Sequence, residues 1–133
     1  MKRIVIALAT AAAMLSAPAA QAGTRLTGEE KLAKMLEGRV AGEPVNCINT
    51  YNTRSARIID KTAIVYEQGS TIYVNRTTNP RTLDDGDVMV TKLHSNRLCN
   101  VDTVHLRDQS HFMSSGFVGL DTFVPYRKAA QAN

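Results

Sequence analysis

The stretch Cys47–Cys99, CINTYNTRSARIIDKTAIVYEQGSTIYVNRTTNPRTLDDGDVMVTKLHSNRLC, decides the fold and carries both cysteines of the chain. Inside it, residues 55–60, 63–68, 71–77 and 88–93 are short runs rich in Ile, Val, Thr and Tyr. Each is too short for an ordinary helix and has the side chains that pack well on a pleated surface. Between them stand turn residues. Asp60-Lys61 is a tight-turn candidate, and Gln68-Gly69-Ser70 is the strongest hairpin signal, because Gly69 can take the positive φ that a two-residue turn requires. Ile72 and Val74 alternate with Tyr73 and Asn75, one pair to each face. The reading is an antiparallel meander of three strands.

Working outward, Asp84-Asp85-Gly86-Asp87 invites a calcium reading, but its spacing departs from the EF-hand pattern and a turn ahead of a strand explains the same residues. Residues 98–107 read as one last long strand, and residues 114–116 as a thinning of the pattern. Residues 123–126 read as a closing edge segment, since Pro125 cannot donate to a central ladder. Upstream, Thr27-Gly28-Glu29-Glu30 is a capping box opening a helix over residues 28–37. Its Leu32, Met35 and Leu36 stripe faces the core, and Pro44 ends the linker that follows. The fold class is therefore mainly β: a small antiparallel barrel or barrel-like sheet of five to six strands with one N-terminal helix. A single helix-backed antiparallel sheet is the runner-up.

The chain begins with an address. Lys2 and Arg3 precede an apolar centre from Ile4 to Leu15, and Ala20-Gln21-Ala22 is a small-residue cleavage site. The apolar run is shorter than the about 20 residues a membrane-spanning helix needs. The organisation expected is a signal peptide over 1–22, helix and linker over 23–44, a β domain over 45–127 and a disordered tail over 128–133. The protein is thus expected in the periplasm or secreted, after cleavage following Ala22. The 16 basic and 12 acidic side chains include Lys2 and Arg3 of the leader, so the exported chain keeps 14 against 12, a net charge of +2. That balance, with no Trp and few aromatics, argues against nucleic acid and against an anionic membrane as partner. In an oxidising compartment Cys47 and Cys99 read as a disulfide rather than a metal site, which would want four good ligands. Closing a loop this long stabilises a fold by about 4 kcal/mol on the chain-entropy account.

Together, Cys47, RSARIID at 54–60, YVNR at 73–76, Leu98-Cys99, Asp102 and FVPYR at 123–127 resemble a family of small exported bacterial proteins of unknown function. The likeness covers about residues 45–127, with Thr53 standing where relatives carry an aliphatic residue. It implies a Gram-negative periplasmic or secreted setting and no activity.

Chemistry is sparse. His94, His105 and His111 lack the spacings that make metal ligands converge, and no G-x-S-x-G elbow, P-loop, dinucleotide fingerprint or H-E-x-x-H occurs. No catalytic residue, metal or cofactor is assigned. Arg54, Arg57, Arg76, Arg97 and Arg107 fall on or beside expected strands near Asp60, Asp102 and Asp108. They read either as an anion cradle or as cross-strand ion pairs. Arg57, Arg76, Asp102 and His105 are the candidate polar site. The function expected is a non-catalytic binding or structural module of the cell envelope, its partner an envelope protein, a glycan or a small anion. The alternative is a small metal-independent hydrolase or nuclease centred on His105 with neighbouring Asp and Arg residues.

Overall fold

The computed structural model describes residues 23–131. The expected leader and the last two residues of the expected tail lie outside them. The capping box forms as the sequence requires: Thr27 Oγ1 accepts from Glu30 N, and the Glu30 carboxylate accepts from Thr27 N, opening α1, Gly28–Met35. Gly28 is there for space. A Cβ at this position would stand 2.0 Å from Thr62 Oγ1 and 2.3 Å from the Asp60 carbonyl, so only glycine lets the helix start against that turn.

The described residues then form β1 (Arg39–Ala41), β2 (Cys47–Asn49), β3 (Thr53–Ile59), β4 (Ala63–Gln68), β5 (Thr71–Asn75), β6 (Asp87–Thr91), β7 (Arg97–Cys99), β8 (Thr103–Asp108), β9 (Ser114–Gly119) and β10 (Phe123–Lys128). All pairings are antiparallel, in three sheets: β1-β10-β5-β4-β3, β2-β7 and β6-β8-β9. The expected meander is β3-β4-β5, with Gly69 at a φ of 56° in its second turn.

Hydrophobic patterning explains the layering. In β4, Ala63, Ile64, Val65 and Tyr66 are all buried, because the five-stranded sheet is covered on both faces. One face, with Ile59, Ala63, Val65, Ile72 and Val74, packs under Leu32, Met35 and Leu36 of α1. The other carries Ile58, Ile64, Tyr66 and Phe123 and meets Ile48, Leu98, Val104, Leu106 and Val118 from the two smaller sheets. The helix stripe is therefore core contact. The β2-β7 ribbon is too small to persist alone, and the Cys47–Cys99 disulfide closes it across directly registered partners with Cα atoms 4.0 Å apart.

Several expectations are corrected. The mainly β, antiparallel class with one helix holds, but ten strands stand where five or six were expected, divided among three sheets with no closed barrel among the described residues: a helix-backed five-stranded sheet with two smaller sheets on its other face. The single long strand over 98–107 is two strands in different sheets. Asp102 breaks it by accepting from Cys99 N at 2.7 Å while its own N–H donates to the Cys99 carbonyl. Residues 114–116, read as thinning, open strand β9; Ser115 is the extra residue of a bulge and Gly116 sits beside it at a φ of 122°, open only to glycine. The segment expected as helix and linker also supplies β1, which pairs with β10. β10 is thereby interior rather than an edge. Pro125 is tolerated because its N and O face Gly42, just past the end of β1, so no bond to β5 is lost. Lys128 ends β10 and Ala129–Gln131 form a 3-10 turn, where the sequence suggested fraying.

Candidate functional site

A cleft of about 560 Å³ opens between β3 and β6, lined by Ala56, Arg57, Ile58, Tyr66, Asp85, Asp87, Val88, Met89, Thr91 and Gln109. Both strands are edges of their sheets. In an antiparallel ladder the N–H and C=O of one residue face the same side, and successive residues alternate. The two-residue turn Gly69-Ser70 makes Gln68 and Thr71 a bonded pair, so Glu67, Val65 and Ala63 address β3 and are met by Ser55, Arg57 and Ile59. The main-chain groups of Ala56 and Ile58 consequently point outward. On β8, Asp108 N donates to the Met113 carbonyl, so Leu106 and Val104 also address β9, while Arg107 and His105 address β6. On β6 this leaves Met89 and Thr91 pointing outward. Among the described residues neither pair finds a main-chain partner on that side.

Two half-buried or buried side chains, Met89 and Tyr66, belong to or touch the main core cluster, so the cleft floor is apolar. Burial pushes the Tyr66 phenol well above its ordinary range and keeps it neutral. Charge sits on the walls. Arg57 pairs with Glu67 at 2.9 Å on the β3 side, and Asp87 accepts from Ser115 Oγ at 2.8 Å on the β6 side.

The four candidate polar residues are not brought together. Arg57 lines the cleft. Arg76 pairs with Glu29 in the first turn of α1, stapling the helix to the sheet. Asp102 is the turn-maker between β7 and β8. His105 is exposed on the outer face of β8, its ring 6.2 Å from that of Phe117. No two of the four share a hydrogen bond, an ion pair or this cleft among the described residues. Nor do the arginines make a cradle: Arg57 and Arg76 hold separate carboxylates, and Arg107 donates to the Phe112 carbonyl. Sequence reasoning missed Ala56, Ile58, Met89 and Thr91. The strands bearing them were legible, but nothing in their residue types says which strands end as edges.

A second cleft, of about 410 Å³, lies where α1 meets the β3–β4 turn. There Asp60, Asp84 and Asp85 present oxygens within 4.8 Å of one another. It is Asp60, not Asp87, that joins the pair in space. Lys31 binds Asp85 at 3.2 Å, and Asp84 accepts from Gly86 N at 2.8 Å. An ammonium partner and a turn bond account for the group.

The β8–β9 loop is held by Asp108, whose carboxylate accepts from the N–H groups of His111 and Ser110. These bonds, that of His111 first, hold its carboxyl below the ordinary value of 3.8. The Arg76 hydrogen bond and charge likewise lower Glu29. A carboxylate with a lowered folded pKa contributes stability that is present above its unfolded pKa and is lost as pH falls through the folded one. Acid titration of the oxidised protein should therefore show the unfolding free energy falling steadily below pH 4 or so. Asp108→Asn and Glu29→Gln should each flatten that slope; an unchanged slope in both would contradict the assignment.

Comparison with protein families, with curated proteins and with solved structures finds no match to this chain. Among the described residues no helix is long and apolar enough to cross a membrane.

Proposed function

We propose that this chain is an exported, non-catalytic module that binds a cell-envelope partner through the β3–β6 cleft. The observation that carries the reading is the cleft itself: an apolar floor between two strand edges whose main-chain groups at Ala56, Ile58, Met89 and Thr91 are unanswered. The disulfide supports an oxidising compartment, the leader read at 1–22 supports delivery to it with cleavage after Ala22, and the likeness to small exported bacterial proteins points the same way. The dispersal of Arg57, Arg76, Asp102 and His105 leaves the hydrolase reading without an assembled acid, base or nucleophile.

The test uses the oxidised chain from residue 23, immobilised and exposed to an envelope extract. The expected result is a species retained by the native protein and by Phe117→Ser on the outer face, and reduced by about tenfold with Ala56→Glu in the cleft. Retention indifferent to Ala56→Glu, in a protein shown folded by circular dichroism, would overturn the proposal.

A further inference from the structure

A third cavity, of about 370 Å³, lies at the β4–β5 hairpin end of the large sheet, lined by Asn52, Gln68, Gly69, Thr71 and Tyr73. It shares no residue with the β3–β6 cleft or with the acidic cleft beside α1. Gln68 and Thr71 are registered partners, as are Tyr66 and Tyr73, so Gln68, Thr71 and Tyr73 project from the face that carries Tyr66. That face also bears the main core, against which Tyr73 packs. Asn52 arrives separately, at the end of the 3-10 turn Thr50–Asn52 that follows β2.

The turn is held in place by five hydrogen bonds. Asn49 Oδ1 accepts from Tyr51 N at 2.9 Å, and Thr50 N and Oγ1 both donate to the Asn96 carbonyl. Gln68 Nε2 donates to the Asn49 carbonyl at 2.7 Å and to Thr53 Oγ1 at 3.0 Å. Both amide hydrogens of Gln68 are thereby committed and its Oε1 is left as an acceptor. Among the described residues the side chains of Asn52, Thr71 and Tyr73 have no hydrogen-bond partner in the protein.

The lining therefore combines two amides, two hydroxyls and one half-buried aromatic ring, with no carboxylate, ammonium, guanidinium or imidazole. An anion would find no cation to pair with. An apolar ligand would cover polar side chains without answering them. A strand-like peptide is recognised through main-chain rows, whereas the groups offered here are side chains. A neutral sugar ring meets every part: its hydroxyls both donate and accept, and its C–H face suits an aromatic surface. The volume falls within the range of about 300–1,000 Å³ for small-ligand sites. We infer that this cavity is a saccharide subsite that takes one neutral hexose unit of a glycan, with Tyr73 against its C–H face and Asn52, Gln68 and Thr71 on its hydroxyls.

The experiment titrates the oxidised, isotope-labelled chain from residue 23 with the methyl glycosides of glucose, galactose and N-acetylglucosamine in turn, followed by amide shifts. At least one should give saturating shifts at Asn52, Gln68, Thr71 and Tyr73, with a dissociation constant of about 1–10 mM and no change at Ala56 or Met89. Asn52→Ala, at an exposed position, should weaken that binding about tenfold. Tyr73→Leu should do the same while Tyr73→Phe keeps most of the affinity, because the ring remains; circular dichroism and the urea midpoint check that both fold. Ala56→Glu, in the other cleft, should bind the sugar as the native protein does.

Shifts that stay linear for all three glycosides up to about 0.2 M would overturn the subsite. Equal shifts from glycerol, which has the hydroxyls without the ring, would also overturn it. Inorganic phosphate producing the same saturating shifts would make the cavity an anion site instead. Sugar-induced shifts confined to Ala56, Ile58 and Met89 would place the glycan in the β3–β6 cleft and remove this assignment while leaving the binding-module reading intact.

Discussion

Replacing Cys47 and Cys99 together by serine should lower the unfolding free energy by about 4 kcal/mol, the chain-entropy value for a loop of this length. The sulfurs link residues separated by 52 positions in sequence, so the unfolded chain gains a large loop of freedom when the bond is absent. The folded state loses less: the β2-β7 ribbon keeps its register, the buried Ile48–Leu98 pair and the bonds from Thr50 N to the Asn96 carbonyl and from Asn100 N to the Asn46 carbonyl at its two ends. For a domain whose whole stability is about 5–15 kcal/mol, the loss decides whether the protein survives at body temperature. Urea unfolding of the native, reduced and double-serine proteins measures it. The reduced and double-serine proteins should coincide. A shift under about 1 kcal/mol would mean that the ribbon is held by packing alone.

Phe123→Ala should cost about 3–5 kcal/mol, the range for emptying a fully buried aromatic site. Phe123 is wholly enclosed, and its ring meets Tyr66 edge-on with centroids 5.7 Å apart. Its main chain exchanges both hydrogen bonds with Val45, so one residue ties β10 to the start of the ribbon while its side chain fills the main core. The cavity cannot collapse easily, because Tyr66 and Ile64 are fixed on β4, an interior strand paired on both sides. Thermal unfolding of Phe123→Ala beside Tyr66→Leu and the double variant separates packing from the ring–ring contact. The coupling expected is about 0.5–1.5 kcal/mol. Additive single effects would show that the edge-on geometry contributes nothing beyond volume.

The helix and the β3-β4-β5 meander were legible because each depends on neighbours along the chain, and the cysteine pairing because an exported chain with two cysteines leaves one partner for each. A cap needs residues three apart, a hairpin needs one tight turn, and burial of β4 on both faces shows as an unbroken apolar run, Ala63 to Tyr66. Even so, local signals misled at Ser114-Ser115-Gly116, where a bulge made a strand look like a loop, and at Pro125, where a proline reads as an edge until β1 and Gly42 are seen beside it.

The candidate site fared differently. Arg57, Arg76, Asp102 and His105 drew attention as polar residues near strands, yet each is occupied by a separate local duty. The cleft was invisible in the sequence because its defining groups are main-chain N–H and C=O, which every residue but proline carries alike.

By itself, then, the sequence determined the β-rich class, the capped helix and the hairpin turns, written in short-range periodicity and turn chemistry, and the one covalent clasp, written in the cysteine count. Only the tertiary structure decided that β6 pairs with β8, that β10 lies inside the large sheet, and that β3 and β6 end as sheet edges lining one cleft. The reason is physical. Strand partners are chosen by the burial of whole faces against one another, a property of the assembled layers that no single segment encodes.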